Sequence, residues 1–110
     1  GNISLVEWVA NNHLPILSQT ISADTWYCVV LTYGQPNVKC YLNGELGTTN
    51  TGASSNAGQT TNPLRVAIDN SASTSYAFAG LIPCVRVYNR ELTASEVLQN
   101  YNAQKSRFGL

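Results

Sequence analysis

The last third of the chain combines a pattern typical of a β-strand with one short, well-capped helix. Residues 78–88 are rich in β-forming residues. Their apolar residues recur at shorter intervals than the three to four residues typical of an amphipathic helix. Thr93, followed three residues later by Glu96, has the spacing of a capping box, and Leu92 can pack onto Val97 as a hydrophobic staple. These signals predict a strand followed by a helix that begins directly after Thr93.

The remainder of the chain carries the patterns of short strands and turns. Residues 4–9 and 14–17 resemble two strands around a polar turn at 11–13, and residues 64–68 resemble another strand. The alternation slips within 78–88, which predicts a β-bulge near Pro83 and Cys84. The polar stretch 49–62 has no large apolar residue, so it is a surface loop that serves either as a connector or as a binding loop.

The clearest hairpin joins residues 25–33 to residues 38–43. Both faces of its first strand are apolar, which is typical of a central strand covered on two sides. The second strand alternates cleanly, and Asn43-Gly44 has the preference of a type I′ turn that leads into a return strand. We expect Val38, Cys40 and Leu42 to point inward, and Lys39, Tyr41 and Asn43 to point outward.

The hairpin register decides whether Cys28 and Cys40 can form a disulfide. If residues 34–37 form the loop, Tyr33 lies opposite Val38, and Cys28 is then offset from Cys40 by about three residues along the ladder. The offset of about 10 Å is too long for a bridge. We therefore predict that Cys28, Cys40 and Cys84 are free, buried or half-buried thiols, as expected after assembly in a reducing compartment.

Composition excludes several classes of function. The 110 residues correspond to a single domain, 1–110, and the formal net charge is zero with no basic stripe, so we expect no binding of nucleic acid. Apolar runs are far shorter than the roughly 20 residues of a membrane helix, so we expect no membrane association. Charged residues are only 11% of the chain, which fits either an extracellular or virion surface or a surface with few constraints on charge.

Several blocks together resemble the concanavalin A-like lectin/glucanase superfamily, and in particular the laminin G-like jelly roll. The resemblance spans about three quarters of the chain, from Thr25 to the C-terminus, and the C-terminal residues 100–110 are similar to the ends of such domains in phage virion and tail-fibre proteins. The blocks that carry it are Thr25-Trp26-Tyr27-Cys28-Val29-Val30, Cys40-Tyr41-Leu42-Asn43-Gly44-Glu45, Phe78-Ala79-Gly80-Leu81-Ile82, Val85-Arg86-Val87-Tyr88-Asn89-Arg90-Glu91-Leu92, Glu96 and Asn100-Tyr101.

This resemblance implies an all-β fold, an antiparallel jelly-roll β-sandwich with a short C-terminal helix, that encloses Trp26, Val30, Leu42 and Val87. A complete domain of the family has more strands before Trp26 than residues 1–24 can supply. Either the domain is trimmed at its N-terminus, or a neighbouring chain or segment supplies the missing strands. Pro83-Cys84 and Asp69 depart from the family pattern, so the family's calcium site is not carried over.

The acidic residues and the single histidine do not form a recognisable catalytic or metal site. A glucanase needs two carboxylates about 5 Å apart for retaining hydrolysis, and none of the predicted strands carries two acids. His13 and the three cysteines have no spacing that supports a nucleophilic pair or a zinc site. We therefore expect no catalytic residues, no metal and no cofactor.

One polar turn is the candidate binding site. Asp69 and Asn70, with Ser71 and Ser73, form the only cluster of oxygen ligands suited to calcium, although an ordinary Asx turn also accounts for it. Asp69, Asn70 and Tyr76 are the candidates for binding a sugar, since Tyr76 offers an aromatic ring beside amide and carboxylate groups; Tyr76 also fits simple packing.

We therefore expect a non-catalytic structural, decoration or fibre module on a virion surface or in an extracellular setting. Its expected partners are other virion proteins or copies of itself. The alternative is a carbohydrate-binding module that recognises host or matrix glycans.

Overall fold

The computed structural model describes residues 2–9, 12–34, 36–51, 66–67 and 77–110. Their elements, in chain order, are the strands β1 (Asn2–Val9), β2 (Asn12–Thr20), β3 (Val29–Gly34), β4 (Asn37–Leu42) and β5 (Glu45–Asn50), the helix α1 (Ala94–Asn102) and a 3-10 helix (Lys105–Phe108). The strands form a two-stranded sheet, β1-β2, and a three-stranded sheet, β3-β4-β5.

The first sheet is an antiparallel hairpin in which Asn2 pairs with Thr20 and Val9 with Asn12. Its register shifts between Leu5 and Val6, opposite the stretch that contains Pro15, where an irregular pairing accommodates a residue without a backbone N–H. The two predicted strands are confirmed, but Asn12 and His13 belong to β2 rather than to the turn. Strand β2 lies close to both β4 and β5 of the second sheet.

The second sheet has the register that the sequence predicted. Tyr33 pairs with Val38, and Leu31 pairs with Cys40. Both residues of the turn between β4 and β5 have positive φ, 53° at Asn43 and 83° at Gly44, as a type I′ turn requires. The Asn43 side chain also joins the open end of the β3-β4 hairpin, since its Oδ1 accepts a hydrogen bond of 2.9 Å from the Cys28 N–H.

The strand covered on both faces is β4, not β3. In the order β3-β4-β5, β4 is the central strand. Its consecutive residues Cys40 and Tyr41 point to opposite faces of the sheet, and both are buried. The prediction that Tyr41 points outward to solvent is therefore wrong. β3 lies at one side of the sheet, and Val29 and Leu31 on one of its faces remain exposed.

The face of the sheet that carries Tyr41 is covered by the C-terminal part of the chain. Tyr41, Leu92 and Val97 form one buried cluster, against which the half-buried Val30 packs. The contact between Leu92 and Val97 is the predicted hydrophobic staple, and the helix begins at Ala94 as expected. Because the capping box orients the first turn, Val97 points towards the sheet and is completely buried.

The predicted strand at 78–88 is not formed among the described residues. Residues 77–93 contain neither helix nor strand, although the Phe78 N–H donates a hydrogen bond of 2.7 Å to the Ala67 carbonyl. A strand needs a neighbouring strand to complete its hydrogen bonds, and none of the described strands pairs with this segment. Val87 is exposed and Trp26 is partly exposed, so the prediction that the core encloses them is wrong.

The chain divides into two compact units, Gly1–Ser55 with Tyr88–Leu110, and Asn56–Val87. The first unit contains all the elements named above. The second contains the described residues 66–67 and 77–87. Val66 and Ala67 form a bend, and the other residues of the predicted strand 64–68 lie outside the described residues. None of the helices among the described residues combines the length and apolar character needed to cross a membrane.

Candidate functional site

The predicted carbohydrate-binding residues Asp69, Asn70 and Tyr76 lie outside the described residues, as do Ser71 and Ser73 of the calcium alternative. Most of the polar stretch 49–62 also lies outside them. These predictions stay predictions. The described part of the chain contains a different depression in its first unit.

This depression lies between β4 and the segment that leads into α1, and its volume is about 290 Å³. That volume is near the lower limit of sites for small molecules. Its lining combines three polar side chains, Lys39, Glu91 and Thr93, with the apolar groups of Tyr41, Leu92 and Ala94. We refer to it below as the Lys39–Glu91 depression.

An ion pair stands in the Lys39–Glu91 depression. The Lys39 Nζ lies 3.3 Å from Glu91 Oε1, and each side chain is about one third exposed, at 33% and 35%. The hydroxyl of the buried Thr32 lies 3.5 Å from the same oxygen. A partly exposed pair of this kind contributes roughly 0–1 kcal/mol to stability, so its main effect is to hold both charged groups beside the depression.

Gly34 makes room for this arrangement. A Cβ at position 34 would collide with the carboxylate of Glu91, so the carboxylate approaches the end of β3 only because this residue has no side chain. Glu91 and Lys39 are 52 residues apart in the sequence, and their pairing depends on how the C-terminal segment crosses the sheet. Sequence reasoning missed this pair because no local spacing indicates it.

Glu96, the second acidic residue near the start of α1, forms an ion pair with Arg90. Arg90 donates two hydrogen bonds to Glu96, from Nη1 to Oε2 at 2.9 Å and from Nη2 to Oε1 at 2.7 Å. The Thr93 N–H donates to Glu96 Oε2 at 2.8 Å, and the Glu96 N–H donates to the Thr93 hydroxyl at 3.2 Å, which completes the predicted capping box.

These hydrogen bonds favour the ionised form of Glu96. Those from Arg90, followed by that from the Thr93 backbone, lower the pKa of Glu96 from 4.5 to about 2. A carboxyl group with so low a pKa is ionised at neutral pH and cannot act as a general acid there. The role of Glu96 at this position is therefore to fix the start of the helix.

Aromatic and basic side chains meet near the C-terminus. The rings of Trp26 and Phe108 lie 5.3 Å apart with an angle of 47° between their planes. The Arg107 guanidinium lies 6.0 Å from the Phe108 ring, and the Lys105 Nζ lies 5.7 Å from the Tyr101 ring. The contact between Trp26 and Phe108 attaches the 3-10 helix to the segment that leads into β3, and it leaves Trp26 only partly covered.

The three cysteines form no disulfide, as predicted, but they differ in exposure. Cys40 is buried, Cys28 is half-buried and Cys84 is exposed, so the prediction that all three are at least half-buried is wrong for Cys84. Burial raises the pKa of the Cys40 thiol, which makes it less reactive. No cluster of three or more potential metal-binding side chains occurs in the part of the chain that the structure describes.

The family follows from a match over most of the chain. Residues 3–98 match the laminin G-type model of the concanavalin A-like lectin/glucanases superfamily. The chain belongs to this superfamily. No curated protein matches it significantly.

A solved structure supports the fold of this laminin G-like chain. The chain is similar to the S-layer domain-containing protein of Clostridium thermocellum (residues 221–444), with a TM-score of 0.54 and 15% sequence identity. The similarity covers 91% of this chain and 50% of the other, so this chain spans about half the length of that relative. The superfamily fold is a β-sandwich, and the antiparallel sheets and the single α-helix of the described residues are compatible with it.

Proposed function

We propose that this laminin G-like chain is a non-catalytic structural module of a surface assembly, and that the assembly is a virion. The observation that carries the proposal is a run of exposed apolar side chains within residues 77–87. Large exposed apolar patches mark surfaces that contact other proteins. The run consists of Phe78, Leu81, Ile82, Val85 and Val87.

Two carboxylates among the described residues support a non-catalytic role. Glu91 is paired with Lys39, and Glu96 is held by Arg90 and the helix cap. Carboxylates that hydrolyse glycosidic bonds must instead face a shared substrate, one of them with a raised pKa. Glu96 has the opposite shift in pKa, because it is stabilised as an anion.

The surface location rests on two similarities. The solved relative is an S-layer domain-containing protein, and this likeness supports a role at an outer surface. The resemblance of residues 100–110 to the ends of phage fibre domains supports the virion as the particular surface.

The proposal is tested by locating the parent polypeptide on intact particles. Antibodies raised against this chain, followed by immunogold electron microscopy, should label the outside of virions that carry it. The purified chain should also show no preference on a glycan array and should release no sugar from a panel of polysaccharides. Labelling of cell surfaces but not of virions would refute the virion as the location of this module. Hydrolysis of any polysaccharide would refute the non-catalytic role.

Carbohydrate binding is the second candidate, and the Lys39–Glu91 depression favours it. A cationic group, an anionic group and a hydroxyl lie beside apolar surface there, which suits the hydroxyl groups and the C–H face of a sugar. Binding of a glycan that weakens in Glu91→Gln, but not in Tyr76→Ala, would assign recognition to the depression. The reverse pattern, with loss in Tyr76→Ala and Asp69→Ala, would assign it to the polar turn.

A further inference from the structure

The turn between β4 and β5 contains a chemically reactive pair of residues. Asn43-Gly44 is the only Asn-Gly pair in the sequence. In such a pair the backbone nitrogen of the glycine can attack the side-chain amide of the asparagine and close a five-membered ring. Glycine favours this reaction because it has no side chain to obstruct the nitrogen or to restrict the backbone. The turn of the second sheet is therefore a candidate site of chemical modification.

The closed turn keeps the two reacting atoms apart. Asn43 and Gly44 both have the positive φ of a type I′ turn. The first central residue of such a turn has a ψ of about +30°, which places its Cβ and the nitrogen of the next residue on opposite sides of the Cα–C bond. Ring closure needs both on the same side, so the peptide between the two residues has to rotate by more than about 90°. The closed turn therefore does not react.

Contacts on both residues oppose this rotation. The Asn43 N–H donates a hydrogen bond of 2.8 Å to the Cys28 carbonyl, and Asn43 Oδ1 accepts one of 2.9 Å from the Cys28 N–H. Gly44 faces Leu98 and Tyr101 of α1 so closely that a Cβ there would lie 3.0 Å from each side chain. Ring closure moves the Asn43 side chain away from Cys28 and turns the Gly44 backbone, which the helix restrains. The turn and α1 therefore have to separate locally before the reaction can begin.

We propose that Asn43 is a deamidation site controlled by the fold, which reacts only when the turn has opened. In the open state the Gly44 nitrogen attacks Cγ of Asn43, and the amide nitrogen leaves with the displaced proton as ammonia. A succinimide remains. Water then adds to one of the two ring carbonyls that flank the Gly44 nitrogen, and the bond from that carbonyl to the nitrogen breaks. Cleavage at Cγ gives aspartate, and cleavage at the main-chain carbonyl gives isoaspartate.

The two products differ in whether the turn can close again. Aspartate keeps the original backbone and has an oxygen that can accept the hydrogen bond from the Cys28 N–H. Isoaspartate directs the backbone through the former side chain, which adds a methylene carbon to a turn of only two residues. The longer turn does not restore both the hairpin geometry and the contact of Gly44 with α1. Isoaspartate at position 43 therefore preserves the opened turn.

Deamidation of the whole chain at neutral pH, in buffer and in urea above the unfolding midpoint, tests the proposal. Mass spectrometry of the proteolytic peptide that contains Asn43 measures the loss of the amide, and labelling by isoaspartyl methyltransferase measures the isoaspartate. We expect the reaction to be at least about tenfold slower in the folded chain, because the opened turn is a minor state. Equal rates in the two solutions, or no reaction in urea, would overturn the proposal.

A pair of helix variants tests the control by α1. Leu98→Ala removes a side chain that faces Gly44, so the folded chain should react at least about threefold faster because the opened turn is more populated. Leu98 is 45% exposed, so this variant should still fold. Gln99→Ala, at an exposed residue of the same helix, is the matched control and should leave the rate unchanged. An unchanged rate in Leu98→Ala, or an equal increase in the control, would overturn the control by the helix.

The products themselves test the last step. Asn43→Asp should unfold at nearly the same urea concentration as the wild type, because its carboxylate can accept the hydrogen bond from the Cys28 N–H. The chain that carries isoaspartate at position 43, separated by chromatography, should unfold at a clearly lower concentration. Equal midpoints for these two forms would overturn the inference that isoaspartate preserves the opened turn.

Discussion

Replacing Gly44 by alanine tests how closely α1 packs on the turn between β4 and β5. Gly44 has a φ of +83° in the turn between β4 and β5. A Cβ there would lie 3.0 Å from Leu98 Cδ1 and 3.0 Å from Tyr101 Cδ1, two side chains of the helix. The substitution therefore strains the backbone and crowds two side chains of the helix at the same time.

The two costs can be separated with Gly109→Ala. Gly109 also has a positive φ, +67°, but a Cβ there would have no neighbour within 4 Å. The left-handed conformation costs a non-glycine residue about 1–2 kcal/mol, and the lower entropy of the unfolded chain returns about 0.5 kcal/mol. We expect Gly109→Ala to lower the free energy of unfolding by about 1 kcal/mol.

Gly44→Ala adds the cost of overpacking, about 1–3 kcal/mol, so we expect a total loss of about 2–4 kcal/mol. Urea denaturation followed by circular dichroism measures both variants, with the denaturant slope checked for two-state behaviour. Equal losses in the two variants would refute the reasoning, since they would mean that the helix does not press on the turn.

Three further predictions concern acid stability, thiol reactivity and the core. The pKa of Glu96 is lowered from 4.5 to about 2, so its carboxylate stabilises the fold above about pH 4.5, and this contribution is lost as the pH falls towards 2. Denaturation across this range should show a loss of stability that is smaller in Glu96→Gln; an unchanged acid profile would contradict the role of the hydrogen bonds from Arg90. Cys84 should react with a thiol reagent much faster than the buried Cys40 in the native chain, and equal rates by mass spectrometry would contradict the assigned exposures. Val97→Ala should cost about 2 kcal/mol in urea denaturation because this side chain is completely buried, and a loss below about 0.5 kcal/mol would show that the cluster is loosely packed.

The candidate sites show how far sequence reasoning reached. The polar turn at Asp69 and Asn70 was recognisable because turns and oxygen ligands have local signatures. The Lys39–Glu91 depression was not, because two distant segments have to meet before its charged groups are adjacent. Gly34 is the one local sign of it, and a glycine beside a turn is too common to indicate a site.

The register of the β3-β4 hairpin, the turn at Asn43 and Gly44, and the start of α1 were all determined by the sequence alone. Each depends on residues that are neighbours in the chain: positive φ in a two-residue turn, or a side chain that caps a backbone N–H three residues away. Such interactions have the same partners in almost any tertiary context.

Which surfaces are covered was decided only by the tertiary structure. Tyr41 alternates like an outward residue but is buried, because α1 lies over that face of β4. Val87 alternates like a core residue but is exposed, because none of the described strands pairs with its segment. Apolar patterning specifies that a face can be buried, whereas burial itself requires a second surface that the local sequence does not name.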